Sequence, residues 1–425
     1  MPSLISERFH KKIIFLMPAF FLFWHSGADI VASTIAVLFL LHSGKTHEWI
    51  WVKKPWFIAA LALWVYATFI SSPLAVYPET SFKVAFLFIR FILFGAGLAY
   101  WILQDKELLK WFEYGVIAVV LFIVLDCFIQ AFVGVDIFGH VKFSSRLTGP
   151  FTDKVPGTYV TKLIFIAFAC LFYSKKLQSS NAKTIFLLIA MVVTALFMFL
   201  TGERSPMLNY LLGCTVIIFG LFFLYPKMRF GLLSGFIAII LAIGIISVVN
   251  PTMRQRSITS SYEYIADWPN SDNGIIVLTA LDIWLHTPNT NIYTGIGLRN
   301  FRQIINDPQS ATIRKKNNMI GKWKNLYIFH PHNIYIEWLA GAGIIGLLGF
   351  ILMTFFLMKE IIWKNFAHPK TAMPLFAFSV LLTTFWPLTH GMNFFTNKHA
   401  TLIWLTVGWA LAATTRNGDA KGQAE

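Results

Sequence analysis

The stretch His330-Pro331-His332-Asn333 carries residue types suited to proton transfer. Proline and asparagine both belong at a helix start, and an apolar run follows from Ile334, so His332 is expected in or beside a first helical turn. There the helix dipole disfavours an imidazolium and leaves a neutral ring able to accept a proton, while free backbone N–H groups nearby bind anions. The chemistry expected is that of a general base beside a phosphate; the plainer alternative is a pair of interfacial histidines with no chemistry. A second charged element, Glu203-Arg204, sits in the turn from Thr201 to Pro206 between two apolar runs. Ionisable groups at membrane depth face a cavity or a partner, so these two either serve a site or pair with each other. Arg90, inside another apolar run, is expected in an ion pair facing the helix bundle. The two histidines resemble metal-ligand spacing, but no third ligand stands at a recognisable interval. Cys127, Cys170 and Cys214 fall in apolar stretches with neither metal nor disulfide spacing, and no metal site is expected.

The elements that must position these residues follow from composition. Of 425 residues 56% are hydrophobic and 13% charged, so the solvent for most of the chain is a bilayer. Lipid offers no partner for backbone N–H and C=O groups, and long apolar runs without turn chemistry must therefore be helices. Such runs are read at 13–24, 28–42, 55–71, 82–102, 113–133, 157–173, 184–201, 207–224, 229–249, 334–358, 372–390 and 398–413. The expected fold is an all-α integral membrane bundle of about twelve transmembrane helices. A signal peptide cleaved near Ser26, Gly27 and Ala28 is the weaker reading, because another apolar run follows at once.

The net charge of +15 does not point to nucleic acid, since most cations sit in short connectors. Every second connector carries them: Arg8, Lys11 and Lys12; Lys45, Lys53 and Lys54; Lys106 and Lys110; Lys175, Lys176 and Lys183; Lys227 and Arg229; Lys359, Lys364 and Lys370; Arg416 and Lys421. Alternate connectors such as 71–81 and 391–397 carry none or few, which puts both termini in the cytoplasm. Two extracytoplasmic stretches depart from this trend. One is 134–158, with Lys142, Arg146 and Lys154; the other, residues 250–332, holds nine Lys/Arg against five acids. An anionic ligand such as a diphosphate would explain that excess, although long loops translocate whatever their charge. The division expected is 1–249 for the N-terminal helices, 250–333 for one large periplasmic loop and 334–425 for the C-terminal helices and tail. Gly341-Ala342-Gly343-Ile344-Ile345-Gly346 spells a dinucleotide-binding fingerprint, but it lies inside an apolar run; with Gly349, these glycines are expected to let helices pack closely.

Several separated patches resemble the bacterial O-antigen ligase and O-antigen polymerase superfamily. His332-Asn333, nine residues, then Gly343-Ile344-Ile345-Gly346 is similar to its histidine-asparagine and glycine-x-x-glycine signature. The Gly202-Glu203-Arg204 turn, the segment from Arg146 to Phe151 followed by Gly157-Thr158-Tyr159, and Thr294 to Gly297 with Asn300-Phe301-Arg302 resemble further family elements in the expected order. Many members carry an arginine where Asn273-Gly274-Ile275 here leads to Ile276.

The resemblance implies a GT-C-like bundle in the bacterial inner membrane and an inverting transfer without metal or cofactor. The donor would be an undecaprenyl-diphosphate-linked glycan and the acceptor lipid A-core, among membrane lipids and without nucleic acid. It implies His332 as the catalytic base and Arg204, with Arg254, Arg256, Arg299 or Arg302, on the diphosphate; Arg146, His330 and Asn333 are second-tier contacts to acceptor or phosphate. A polymerase joining undecaprenyl-linked repeats shares this architecture, as does a protein O-glycosylating member; the histidine-asparagine-glycine pattern is the ligase form. A transporter or flippase lined by Arg90, Asp126 and Arg204 would show charges near the midplane of several helices, whereas these polar groups concentrate at one membrane face and in one loop.

Overall fold

The computed structural model describes residues 4–143, 146–152, 156–177, 179–288, 290–317, 330–366, 371–389 and 393–419. Lys154, Lys322, Lys324, Lys370 and Lys421 lie outside the described residues. Each apolar run lies on a helix: α1 (Leu4–Phe23), α2 (His25–Thr46), α3 (Pro55–Tyr66), α4 (Pro78–Tyr100), α5 (Lys106–Val133), α6 (Pro156–Phe172), α7 (Ser180–Thr201), α8 (Arg204–Leu224) and α9 (Arg229–Val249) come first. After a loop that contains α10 (Asp272–His286) come α11 (Ile334–Phe366), α12 (Met373–Phe385) and α13 (Asn397–Asp419). Among the described residues, eight helices are long and apolar enough to cross a membrane by length and composition, and Pro156–Phe172 and Met373–Phe385 are apolar but shorter.

Local chemistry starts and stops these helices. Proline opens α3, α4 and α6, where its missing N–H leaves no bond unmade and its fixed φ suits a first turn. Asp105 caps α5 by accepting from the Glu107 and Leu108 N–H groups, and Ser179 caps α7 through Ala182. Small residues set the closest helix approach. A Cβ added at Gly95 of α4 would meet the Trp404 side chain of α13, and one at Gly408 would sit 3.0 Å from the Gly95 carbonyl oxygen.

Several lysine-bearing connectors meet at one face. On the lysine-rich face Lys11 approaches Glu107 to 3.9 Å, Lys54 pairs with Glu360 at 3.0 Å, and Gln104 donates to Thr415 at 3.1 Å. The start of α1 and the last turns of α13 therefore lie on the same face. On the other face, Glu203 bonds to Gly157 and Thr158, Arg256 to Gly202, Ser71 and Val76 to Thr294 and Ile296, and Asn333 to Pro387, and the site is built there.

One expected helix is broken. The apolar run from Ile334 bends at Gly343, whose φ of 69° and ψ of −170° are not helical. Residues 292–297 dock on the broken backbone: Ile296 and Gly297 donate to the carbonyls of Ala340 and Gly341 at 2.8 Å, and Ile344 donates to Ile292 at 3.0 Å. The Tyr66 hydroxyl, 2.9 Å from the carbonyls of both Ala342 and Tyr293, clips the junction. A Cβ at Gly343 would strike the Tyr293 backbone, so this glycine serves loop docking. Gly349 does serve helix packing, lying against Leu63 of α3.

Candidate functional site

Gly202 ends α7 in the left-handed conformation, φ 67°, and turns the chain so that Glu203 points away from Arg204. Of the two alternatives for Glu203 and Arg204, the mutual pair does not form. The buried Glu203 carboxylate instead accepts from Gly157 N at 2.7 Å, Thr158 N at 3.1 Å and Thr158 Oγ1 at 2.8 Å, and so caps the N-terminus of α6. Burial pushes its carboxyl up to about 7, against those hydrogen bonds and the charge of Arg146. Arg204 donates through Nη1 to the Ser260 carbonyl at 2.8 Å and lies 4.9 Å from the centre of the Tyr264 ring. Arg256 donates through Nε to the Gly202 carbonyl at 3.1 Å. Burial, then the nearby charges of Arg146 and Arg204, pull the Arg256 guanidinium down to about 10, with Glu203 opposing. Arg146 Nε is buried with no hydrogen-bond partner among the described residues. The three guanidiniums thus cluster about Arg256, with one carboxylate among them, an arrangement that favours a dianion.

The histidine turn is built from other contacts. Asn333 caps α11, its Oδ1 accepting from Tyr335 N at 2.9 Å and Ile336 N at 3.1 Å. Its Nδ2 donates to the Pro387 carbonyl at 2.6 Å, the Tyr335 hydroxyl to Phe385 at 2.6 Å, and the buried Lys162 Nζ to Thr383 at 2.7 Å. Together they satisfy carbonyls at the end of α12 and just beyond it, which helix geometry leaves unpaired. The turn at 386–389 is held from the other side by Asn209, whose Nδ2 donates to Thr389 Oγ1 at 2.9 Å; Asn209 lies about one and a half turns along α8 from Arg204.

His332 adopts φ 58°, left-handed and unusual for a residue with a side chain. His332 N donates to His330 Nδ1 at 3.1 Å, and the two rings stack 4.5 Å apart at 19°. Burial, then the charges of His332, His399 and Arg299, hold His330 well below the usual imidazole range, so that its ring is a neutral acceptor. Arg299 is also left-handed, φ 59°, and both it and Arg302 line a cavity of about 880 Å³.

Residues 189–351 match the family model described as O-Antigen ligase. This match supports the O-antigen ligase/polymerase superfamily for that segment. With its apolar helices, the chain is a multi-pass bacterial membrane protein. No curated protein matches the chain.

The O-antigen ligase segment runs from α7 into α11 and takes in the Arg204 turn, the loop arginines and the histidine turn. The structure groups Arg146, Arg204 and Arg256 in one cluster and His330, His332, Asn333 and Arg299 round the other turn, with Arg302 beside Arg299 on the cavity. Arg254 is exposed, and no contact among the described residues joins it to either group. Ile276, standing where many members have arginine, is 1% exposed in a small apolar core with Ile275, Ile296 and Ala340.

Sequence reasoning missed the first turn of α13 and what precedes it, outside the O-antigen ligase segment. Asn397 bonds both Arg90 (3.2 Å) and Asp29 (3.0 Å), Lys398 lies 4.5 Å from the Tyr159 ring centre, and His399 holds Asn393 N at 3.1 Å. Glu337, one turn into α11, accepts from Phe394 N at 2.9 Å. The available signal was that Asn397-Lys398-His399, like His330 to Asn333, opens an apolar run with polar residues. Arg90 pairs with Asp29 at 2.8 Å, the bundle ion pair expected of it.

Proposed function

We propose that this protein is an O-antigen ligase of the bacterial inner membrane, moving O-antigen polysaccharide from undecaprenyl diphosphate to lipid A-core at the periplasmic face. In this reading the chain crosses the membrane about twelve times, both termini are cytoplasmic, and residues 250–333 form the periplasmic part between the two helical portions. The observation that carries it is the shared 386–389 turn: Asn333, next to His332, grips it from α11, and Asn209 grips it from α8 below Arg204. A base and a cluster of guanidiniums then serve one substrate.

The reaction is an inverting substitution without metal. His332 takes the proton of an acceptor sugar hydroxyl, whose oxygen forms a bond to the anomeric carbon of the donor. The bond from that carbon to the diphosphate oxygen breaks, and undecaprenyl diphosphate leaves with the electron pair. Arg204, Arg256 and Arg146 offset the charge that grows on the leaving group; anchored by backbone carbonyls, the first two need little reorganisation as it develops. His330 positions His332 by accepting its backbone N–H.

The purified protein, given a labelled undecaprenyl-diphosphate glycan and lipid A-core with metals chelated, is expected to produce labelled lipopolysaccharide. Growth of the glycan on its carrier lipid instead would make it a polymerase, and absence of any transfer would remove the enzymatic reading. A deletion strain is expected to keep polymer on the carrier lipid and to display lipid A-core without O-chain.

A further inference from the structure

The cavity beside Arg299 and Arg302 is separate in its contacts from the Arg204 cluster. Its walls come from α2, α4, residues 299–303 and the start of α13, and four cations, Lys83, Arg90, Arg299 and Arg302, face two carboxylates, Asp29 and Glu79. Asp29 is already engaged by Arg90 at 2.8 Å and by Asn397 Nδ2 at 3.0 Å, so the rest of the cavity is net positive. Arg90 Nε, in the wall, is buried without a hydrogen-bond partner among the described residues. Val84, Leu87 and Phe88 supply an apolar strip along one side.

Its volume of about 880 Å³ lies within the range that encloses a ligand of several rings. The cavity lies within electrostatic reach of His330, the residue that supports His332. Arg299 bears electrostatically on His330, and Asn397 in the cavity wall is two residues from His399, which does the same. The charges are spread over three walls, where a single diphosphate would call for a compact group like Arg146, Arg204 and Arg256. Spread cations with interspersed carboxylates suit an oligosaccharide carrying separated anionic groups, its hydroxyls donating to Glu79 and Asp29.

We propose that this cavity is the acceptor subsite, in which Lys83, Arg299 and Arg302, over the Asp29–Arg90 pair, hold a phosphate-bearing sugar of the acceptor while one of its hydroxyls faces His332. The proposal rests on the ligase reading. The test uses full-length protein in lipid nanodiscs, saturating labelled donor, and two acceptors: lipid A-core, and the same preparation treated with phosphatase. Lys83 and Arg302 are exposed, so Lys83→Gln/Arg302→Gln leaves the fold intact.

For untreated acceptor the double variant is expected to raise KM by about tenfold with kcat little changed. Donor KM stays constant, and the wild-type preference for the phosphorylated acceptor is lost. An unchanged acceptor KM, an equal rise for both acceptors, or a rise in donor KM alone would overturn the assignment. A wild-type protein that transfers nothing would instead remove the ligase reading on which it rests.

Discussion

The Gly202–Arg204 turn opens α8, which grips the 386–389 turn through Asn209, and the His330–Asn333 turn grips it through Asn333, yet the two are built by opposite means. At the first, three charged groups are tied down: Glu203 caps α6, Arg204 is bonded to Ser260, and Arg256 to Gly202. At the second, the central residue is held in a left-handed backbone that a side chain disfavours, supported by a neighbouring imidazole and by Asn333 at the helix cap. Fixed charge suits a group that stabilises a leaving anion, because stabilisation without reorganisation is where electrostatic catalysis gains most. Local strain at a base is what a fold tolerates where the position of one ring matters more than about 1–3 kcal/mol of stability.

This contrast can be broken, most severely at the histidine. His332→Ala is expected to lower transfer by about 10²–10⁴-fold while membrane insertion and binding of undecaprenyl diphosphate persist. Wild-type lipopolysaccharide on a gel from cells carrying it would take His332 out of the mechanism. Arg204→Ala and Arg256→Ala are each expected to lower kcat by about 10²-fold and, unlike His332→Ala, to weaken binding of undecaprenyl diphosphate. Equal diphosphate affinity in all three variants would erase the division of labour.

Structural support for the histidine turn is tested at Gly343→Ala. A methyl group there forces a left-handed alanine against the Tyr293 backbone, and a loss of about 1–3 kcal/mol is expected, read as a lower Tm in detergent. An unchanged Tm would mean that residues 292–297 do not dock on α11. Support for the arginine turn is tested by pH. The folded value for Glu203, about 7, lies above its ordinary 4.5, so the folded protein holds this proton more tightly than the unfolded chain. Its contribution to stability is accordingly full below about 4.5 and is lost as pH rises to about 7. Tm measured across that window should fall less steeply in Glu203→Gln; an identical slope would place the titration elsewhere. Smallest of all, Arg254→Ala should change transfer less than about twofold, as an exposed side chain outside both groups would; a loss as large as that of Arg256→Ala would put it in the donor site.

Part of the local structure round these residues was legible because its signals are local. His330 to Asn333 was readable as a helix start from residue types, and Asn333 does cap α11; Arg90 was readable as a bundle ion pair from the cost of a lone charge in lipid. The Glu203 partner was not readable, since a carboxylate next to an arginine in sequence gives no sign that a left-handed glycine will turn it towards Gly157 and Thr158. Nor was the grouping of the arginines: Arg254 and Arg256 look alike along the chain, and only the helical phase of residues 251–266 separates an exposed side chain from one that meets Gly202.

From sequence alone came the helices and the alternation of their connectors, because a bilayer as solvent forces every long apolar run to satisfy its own backbone and makes buried connectors costly. Tertiary structure alone decided the break at Gly343, the cap from Glu203 to α6, the bond from Lys162 to Thr383 and the joining of α8 and α11 at the 386–389 turn. Each of these matches a donor to an acceptor tens or hundreds of residues away. Which distant group answers an unpaired one depends on how the helices pack, and no local pattern of residues encodes that.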